Sequence, residues 1–289
     1  MIRDHLFPVT LKEALELKNY FGKKAVFVGG GTDLFVQIYE KKIMPEYLID
    51  LNTIPELSGL EDLHQDNLRL GACLTVDHIS KSTLIKKNAP SLSIAACKLG
   101  SPPIRNQATI GGNLINASPA ADLAPPLISQ GAMGHLVSSK GGRAILIEKL
   151  STGVNKTILL PDEILTHISI PIRQYREGMA YFKLGLRGAL SIAVASVAVW
   201  LRRKKSGKGI EKIRIAMGSV APRVIRASKA EGLLTDNSFE KRILKEASDL
   251  ASRECQPISD IRASSDYRRS MIGELVLIGL ETAWAASKN

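Results

Sequence analysis

Cysteine is scarce, with three in 289 residues. Cys73, Cys97 and Cys255 stand far apart and form no C-x-x-C pair, so the local spacing of a thiolate-bound zinc or iron–sulfur cluster is missing. Reduced thiols in a cytoplasm fit this usage best, and the opening MIRDHLFPVT lacks the basic-then-apolar order of a secretory leader. Aromatic residues are only 5% of the chain, which leaves little material for stacking platforms. The longest apolar run, Ala189 to Leu201, falls short of the ~20 residues that span a membrane and contains two serines. Neither a G-x-S-x-G elbow nor an H-E-x-x-H helix occurs. These absences set aside a disulfide-stapled scaffold, a membrane-spanning chain and the commonest serine and zinc hydrolases.

What remains is an ordinary globular composition, 45% hydrophobic and 23% charged, long enough for two domains or one large one. The formal net charge of +11 fits nucleic acid, an anionic surface or an acidic protein partner. The densest basic run, Arg202 to Lys208, has a Ser-Gly turn and no interleaved aromatic residue, and reads as a solvated hairpin tip following the buried core segment 189–201.

Along the chain, Thr10 and Glu13 form a T-x-x-E capping box ahead of an amphipathic helix. Ala25 to Val28 is a β-type run that breaks into Gly29, Gly30 and Gly31, after which Thr32 and Asp33 cap a second helix through Leu34, Phe35 and Ile38. Strands are expected at Tyr47–Leu51 and Leu68–Ala72, as several short runs between Gly131 and Ile147 and again at Ile164–Ile170, and at Lys212–Met217. Helices are expected within Val76–Leu84 and at Pro90–Leu99, the latter stopped by Gly100, Pro102 and Pro103. Two more follow, with apolar stripes Leu244, Ala247, Leu250, Ala251 and Tyr267, Met271, Leu275, Ile278. The texture divides the chain into 1–55, 56–175 and 176–289, with no internal repeat.

Two segments carry chemistry. In AVFVGGGTDLF (25–35), consecutive glycines let backbone N–H groups share one concavity and approach a diphosphate, with a helix N-terminus adding to the same anion. The pattern matches neither G-x-G-x-x-G nor the P-loop, and a strand–helix turn without ligand fits equally well. In Thr109-Ile110-Gly111-Gly112-Asn113, a Gly-Gly pair flanked by polar side chains forms a second donor cradle, with Ser118 and Asp122 downstream; Asp122 can accept from a ribose or a ring N–H, or simply cap a turn. Two such cradles without a basic triad or metal cluster point to a dinucleotide lying across two subdomains.

The wording of these segments resembles the FAD-binding subunit of molybdenum hydroxylases, the family of the xanthine dehydrogenase flavin domain and the medium subunit of aerobic carbon monoxide dehydrogenase. The likeness rests on GGGTDL (29–34), IRNQATIGGNLINASPAADLAPPL (104–127), PDEILTHISIP (161–171), IRIAMGSVAPRVIRASKAE (213–231) and DIRASSDYRRSM (260–271), in order over essentially the whole chain. Gly29 stands where many relatives have alanine.

The resemblance implies an α+β protein: a two-subdomain FAD-binding domain of the PCMH/vanillyl-alcohol-oxidase type and an α+β C-terminal domain. It implies non-covalent FAD, held by Phe27, Val28, Gly29, Gly30, Gly31, Thr32, Asp33 and Leu34 on one side. Thr109, Ile110, Gly111, Gly112 and Asn113 would hold the other side, with Leu99, Ser118, Asp122, Leu165 and Lys183 nearby. His5, His64, His78, His135 and His167 lie outside both cradles, so each reads as a surface or packing residue and none as a covalent flavin anchor. The implied partners are a large molybdopterin-binding subunit and a small [2Fe–2S] subunit, in a dimer of heterotrimers that passes electrons from FAD to NAD, a quinone or another acceptor. A free-standing flavin reductase of the cell-wall precursor type and a basic nucleic-acid-binding module are the rival readings.

Overall fold

The computed structural model describes residues 2–63, 67–188 and 190–288, and three main sheets organise them. The first is parallel, β1 (Asp4–Leu6), β2 (Ala25–Val28) and β3 (Tyr47–Asp50) in the order β1-β3-β2. Helix α1 (Leu11–Phe21) starts at the expected box: Thr10 Oγ1 accepts from the Glu13 amide at 3.2 Å, and the Glu13 carboxylate accepts from the Val9 amide. Its apolar side brings Ala14 and Leu15 onto Ala25 and Ile49. After β2 the chain turns through the glycines into α2 (Leu34–Tyr39).

The second sheet is antiparallel, from β4 (Leu60–Leu63), β5 (Asn67–Gly71), β6 (Met133–Ser138), β7 (Gly141–Leu146) and, beyond a small hairpin of β8 (Ser151–Gly153) and β9 (Lys156–Thr157), β10 (Ile164–Pro171). Its order is β4-β5-β10-β6-β7. Between β5 and β6 come α3 (Val76–Lys81), α4 (Thr83–Asn88), α5 (Pro90–Lys98), α6 (Pro102–Gln107), α7 (Ile110–Ile115) and α8 (Ala124–Gln130). They bury Ile79, Ile85, Leu92, Ile110 and Leu127 in one core with Leu68 and Ile168 of the sheet. The single helix expected in 76–84 is broken at Ser82, whose hydroxyl caps α4. Pro102 does not merely stop α5: it opens α6 at the first helical position, where its missing N–H costs nothing.

The third sheet, β11 (Glu177–Leu184), β12 (Ala195–Arg203), β13 (Ile210–Gly218) and β14 (Ile225–Arg226), is antiparallel in that order. Helices α9 (Ser228–Asp236), α10 (Lys241–Glu254) and α11 (Ser265–Ala286) complete this region. Alternate residues of β12 join different cores: Ala198 faces the helices of the second sheet, Val197 and Val199 face α10 and α11. A strand covered on both faces shows no alternation of apolar and polar positions, which is why 193–201 has no period and its one polar residue, Ser196, is buried as well. The apolar stretch ahead of it is different, with Leu190 and Ile192 more than half exposed, and Ala189 lies outside the described residues.

Two readings of this region need correction. The buried stripe of α11 is Ile272, Val276, Leu280 and Ala283, one residue round from the expected Tyr267, Met271, Leu275, Ile278. Its first turn hides Arg268, 1% exposed, which donates to the carbonyls of Val194 and Ser219 and to Asp260. The turn after β12 is a hairpin as expected, yet its first two cations are not free: Arg202 pairs with buried Glu177, and Arg203 lies 4.3 Å from the ring centre of Trp284.

Candidate functional site

The edge of the first sheet meets the helices of the second at a cleft. On the first wall, β2 ends at Gly29 and the chain turns so tightly against the second wall that a Cβ on Gly30 would stand 2.0 Å from the Gln107 carbonyl oxygen. Gly31 follows at φ +70°, which a side chain resists. Phe35 and Gln37 donate to the carbonyls of Gly31 and Asp33. The amides of Gly30, Gly31, Thr32 and Asp33 themselves donate to no protein acceptor among the described residues. Asp33 occupies the N-cap position of α2, but its side chain makes no capping bond, contrary to the expected polar cap. Four N–H groups in sequence, in the loop ahead of the short helix, are thus left without a protein acceptor among the described residues.

The second wall is built differently, and the expectation of a matching donor cradle is corrected. Thr109 begins α7 as its N-cap, with Oγ1 accepting from the Gly112 amide at 3.1 Å. Ile110 donates to Leu74 O, Gly111 to Ala72 O and Asn113 to Thr109 O. Every amide from 110 to 113 is therefore committed inside the protein. What the Gly-Gly pair provides is closeness: a Cβ at Gly111 would lie 2.7 Å from Ala72 O, and at Gly112 it would meet only Thr109 Oγ1, at 3.0 Å.

Two cavities open on either side of this seam, sharing Val26, Phe27, Gly29, Thr109, Gly112 and Ile115 as common wall. The larger, about 370 Å³, takes in Gly30 to Leu34 from the first motif, Asn113 from the second, and Leu99. The smaller, about 270 Å³, is mainly apolar, reaching Leu51, Ala72, Leu159 and Ile164, with Gly111 and Leu165 from the expected set. Val28 and Ile110 are buried in the cores and line neither cavity. Ser118 also lies outside both, its hydroxyl accepting from the Ala120 amide.

Asp122 and Lys183 come together away from the cavity walls. Lys183 Nζ stands 2.6 Å from Asp122 Oδ2 and 3.0 Å from the Lys98 carbonyl oxygen, and Tyr181 donates its hydroxyl to Asp122 Oδ1 at 3.1 Å. Burial pushes the Asp122 carboxyl above its ordinary range, while the Lys183 ammonium pulls it back. Burial first, and then the Asp122 charge, raise the Tyr181 phenol far above its usual value. The cluster ties β11 to the end of α5, one residue before Leu99, and so supports the larger cavity from behind.

The remaining titratable groups among the described residues offer no acid–base pair. His135 and His167 stack at 4.0 Å on adjacent strands, and burial, then the neighbouring His135 and Arg69 charges, push His167 down to about 4; it is a packing residue. His64 lies outside the described residues. Cys73 lines the smaller cavity, but burial pushes its thiol up to about 12 and leaves it protonated. No cluster of three or more metal-ligating side chains occurs among the described residues. No helix among them is long and apolar enough to cross a membrane.

Sequence reasoning missed several wall residues. Gln37 sits one turn beyond the first motif and Asn116 one turn beyond the second, at the C-cap of α7, within reach of a helical projection of the motifs. Asn155, from the β8–β9 hairpin, and Lys18, from α1, carry no local signal at all.

Residues 3–173 match the FAD binding domain in molybdopterin dehydrogenase, and residues 180–283 the CO dehydrogenase flavoprotein C-terminal domain. The carbon monoxide dehydrogenase medium chain of Hydrogenophaga pseudoflava is 32% identical over 280 residues, 96% of each chain. The xanthine dehydrogenase FAD-binding subunit of Escherichia coli O157:H7 is 29% identical over 265 residues, 91% of this chain and 90% of that one. In three dimensions, a chain of carbon monoxide dehydrogenase from H. pseudoflava, in a form lacking the Mo-pyranopterin moiety of the molybdenum cofactor, matches with a TM-score of 0.94 at 31% identity over 99% of this chain and 98% of that one. With 3–173 and 180–283 matched in order and a relative 32% identical over 96% of both chains, the chain belongs to the family of FAD-binding oxidoreductase subunits of the molybdopterin dehydrogenases.

Proposed function

We propose that this chain is the electron-exit subunit of a cytoplasmic molybdenum hydroxylase and holds FAD extended through its cleft. The observation that carries the reading is the row of four unpartnered amides, Gly30 to Asp33, at the seam of two unequal cavities. That arrangement fits a dinucleotide: a diphosphate on the amides, with Thr32 adding a hydroxyl. Adenine suits the smaller apolar cavity beside Leu165 and Phe27. The isoalloxazine and its hydroxylated chain suit the larger cavity, which offers apolar Leu99 together with polar Asn113. Gly111 and Gly112 leave room for the cofactor to approach α7. Asp122 and Lys183 fix Leu99 from behind, and Ser118 orders the turn leading to Asp122.

When bound, FAD supplies the exchange between one-electron and two-electron carriers; the protein binds, orients and shields it. Electrons would arrive from [2Fe–2S] clusters of a small subunit, fed by a large molybdopterin subunit, and leave to NAD or a quinone. We further propose a dimer of heterotrimers, with units 1–55 and 56–175 clasping FAD and 176–289 bracing the clasp. The match of 180–283 to the flavoprotein C-terminal domain favours this over a free-standing reductase. The engagement of Arg202 and Arg203 inside the fold weakens the nucleic-acid reading, which rested on charge alone.

An absorption spectrum of the purified chain, before and after adding FAD and then after denaturation, tests the reading. A releasable flavin without iron–sulfur absorption is expected. A colourless protein whose melting temperature does not respond to FAD would overturn it.

A further inference from the structure

Outside both glycine motifs, we infer that Asn155 is a positioning contact to the flavin half of the bound dinucleotide, supplied by the β8–β9 hairpin. The inference rests on the FAD reading above. Val154 and Asn155 form the tip of that hairpin, and Asn155 lines the larger cavity, some forty residues beyond the second motif. The tip is held in place: the Asn155 amide donates to the Ala117 carbonyl oxygen at 3.1 Å, just past α7. Both partners adopt left-handed backbone, Asn155 at φ 53° and Ala117 at φ 48°. Asparagine tolerates this region, whereas alanine resists it. Strain of this kind persists only where the surroundings over-determine it, and it collects at ligand clamps.

The Asn155 carboxamide has no protein partner among the described residues. It joins three further carboxamides on the same cavity, Gln37 from α2, Asn113 from α7 and Asn116 at the C-cap of α7, of which Gln37 Nε2 approaches Asn116 Oδ1 at 3.5 Å. Each is neutral and offers both donors and an acceptor. That mixture suits hydroxyls and ring carbonyls, which the flavin half carries, better than a phosphate, which wants donors only. The two motifs give the cofactor two walls, and the hairpin gives it a third.

The test compares the wild type with Asn155→Gly, which keeps the left-handed backbone and removes the carboxamide. FAD affinity is read by fluorescence, ADP affinity by competition, and folding by melting temperature. ADP carries the adenine and the diphosphate but no flavin. The expected result is FAD binding weakened roughly two- to tenfold, the loss of one neutral hydrogen bond, with a shifted bound-flavin spectrum and unchanged ADP affinity and melting temperature. FAD affinity equal to wild type, or FAD and ADP affinities falling in parallel, would overturn the assignment. Wild type that binds neither molecule would bring down the FAD reading itself, and this inference with it.

Discussion

The two walls of the cleft look alike as sequence, each a glycine cluster beside threonine and a polar residue, and they work in opposite ways. In GGGTD the amides of Gly30 to Asp33 are left over; in TIGGN the amides from Ile110 to Asn113 are all committed, to Leu74, Ala72 and Thr109. The first wall can donate, and the second can only approach. A glycine pair is therefore no evidence of a donor cradle until the bonds of its own backbone are counted.

The largest effect should come from removing the pair that ties β11 to the end of α5, behind the cleft in which the two walls meet. Asp122→Ala strands the Lys183 ammonium, whose side chain is 6% exposed, without its carboxylate. An unpaired buried charge costs about 3–5 kcal/mol, so melting should fall by on the order of 10 °C. A loss below 1 kcal/mol would mean that Lys183 turns to solvent and that the pair braces nothing. Gly30→Val comes next. Its side chain meets the Gln107 backbone, which cannot yield as a flexible side chain would, so about 1–3 kcal/mol of overpacking should accompany complete loss of FAD retention in the spectrum.

On the second wall, neighbouring glycines should separate. Gly111→Ala drives a methyl into Ala72 and should destabilise the fold, whereas Gly112→Ala gains ~0.5–1 kcal/mol of helix propensity in α7 and adds its methyl to the shared cavity wall. Thermal melts and FAD titrations on the pair should therefore diverge, with Gly111→Ala losing stability and Gly112→Ala losing affinity. Parallel changes in both would show that closeness to ligand is not what Gly112 provides.

What was legible in the sequence follows the same line. The capping box at Thr10, the break after Val28 and the strand runs near Tyr47, Leu68 and Ile164 are local, and propensity with turn chemistry reveals them. The state of the TIGGN amides depends on Ala72 and Leu74, almost forty residues upstream, and Asp122 is matched by Lys183, 61 residues downstream. Nothing in a linear reading joins such positions. The stripe of α11 failed for another reason: two apolar lines run one residue apart, and the buried one begins with an arginine, which marks a surface in any hydropathy count. Arg202 and Arg203 misled in the same way, because their partners Glu177 and Trp284 come from distant strand and helix.

Thr109 stands where the two walls meet, and its hydroxyl offers the smallest and most exacting comparison. Oγ1 caps α7 through the Gly112 amide and would stand 3.0 Å from a Cβ on Gly29 of the opposite wall. Thr109→Val keeps the shape and removes the acceptor, which should cost about 0.5–2 kcal/mol of stability, while Thr109→Ser keeps the cap and should cost less. The loss also releases the Gly112 N–H into the shared cavity wall. If the second wall contributes only closeness, FAD affinity in Thr109→Val should track its stability and be restored in Thr109→Ser. Thr109→Val binding FAD more tightly despite its lower melting temperature would mean that a freed amide had become a donor, and that the two walls differ by one hydroxyl rather than by design.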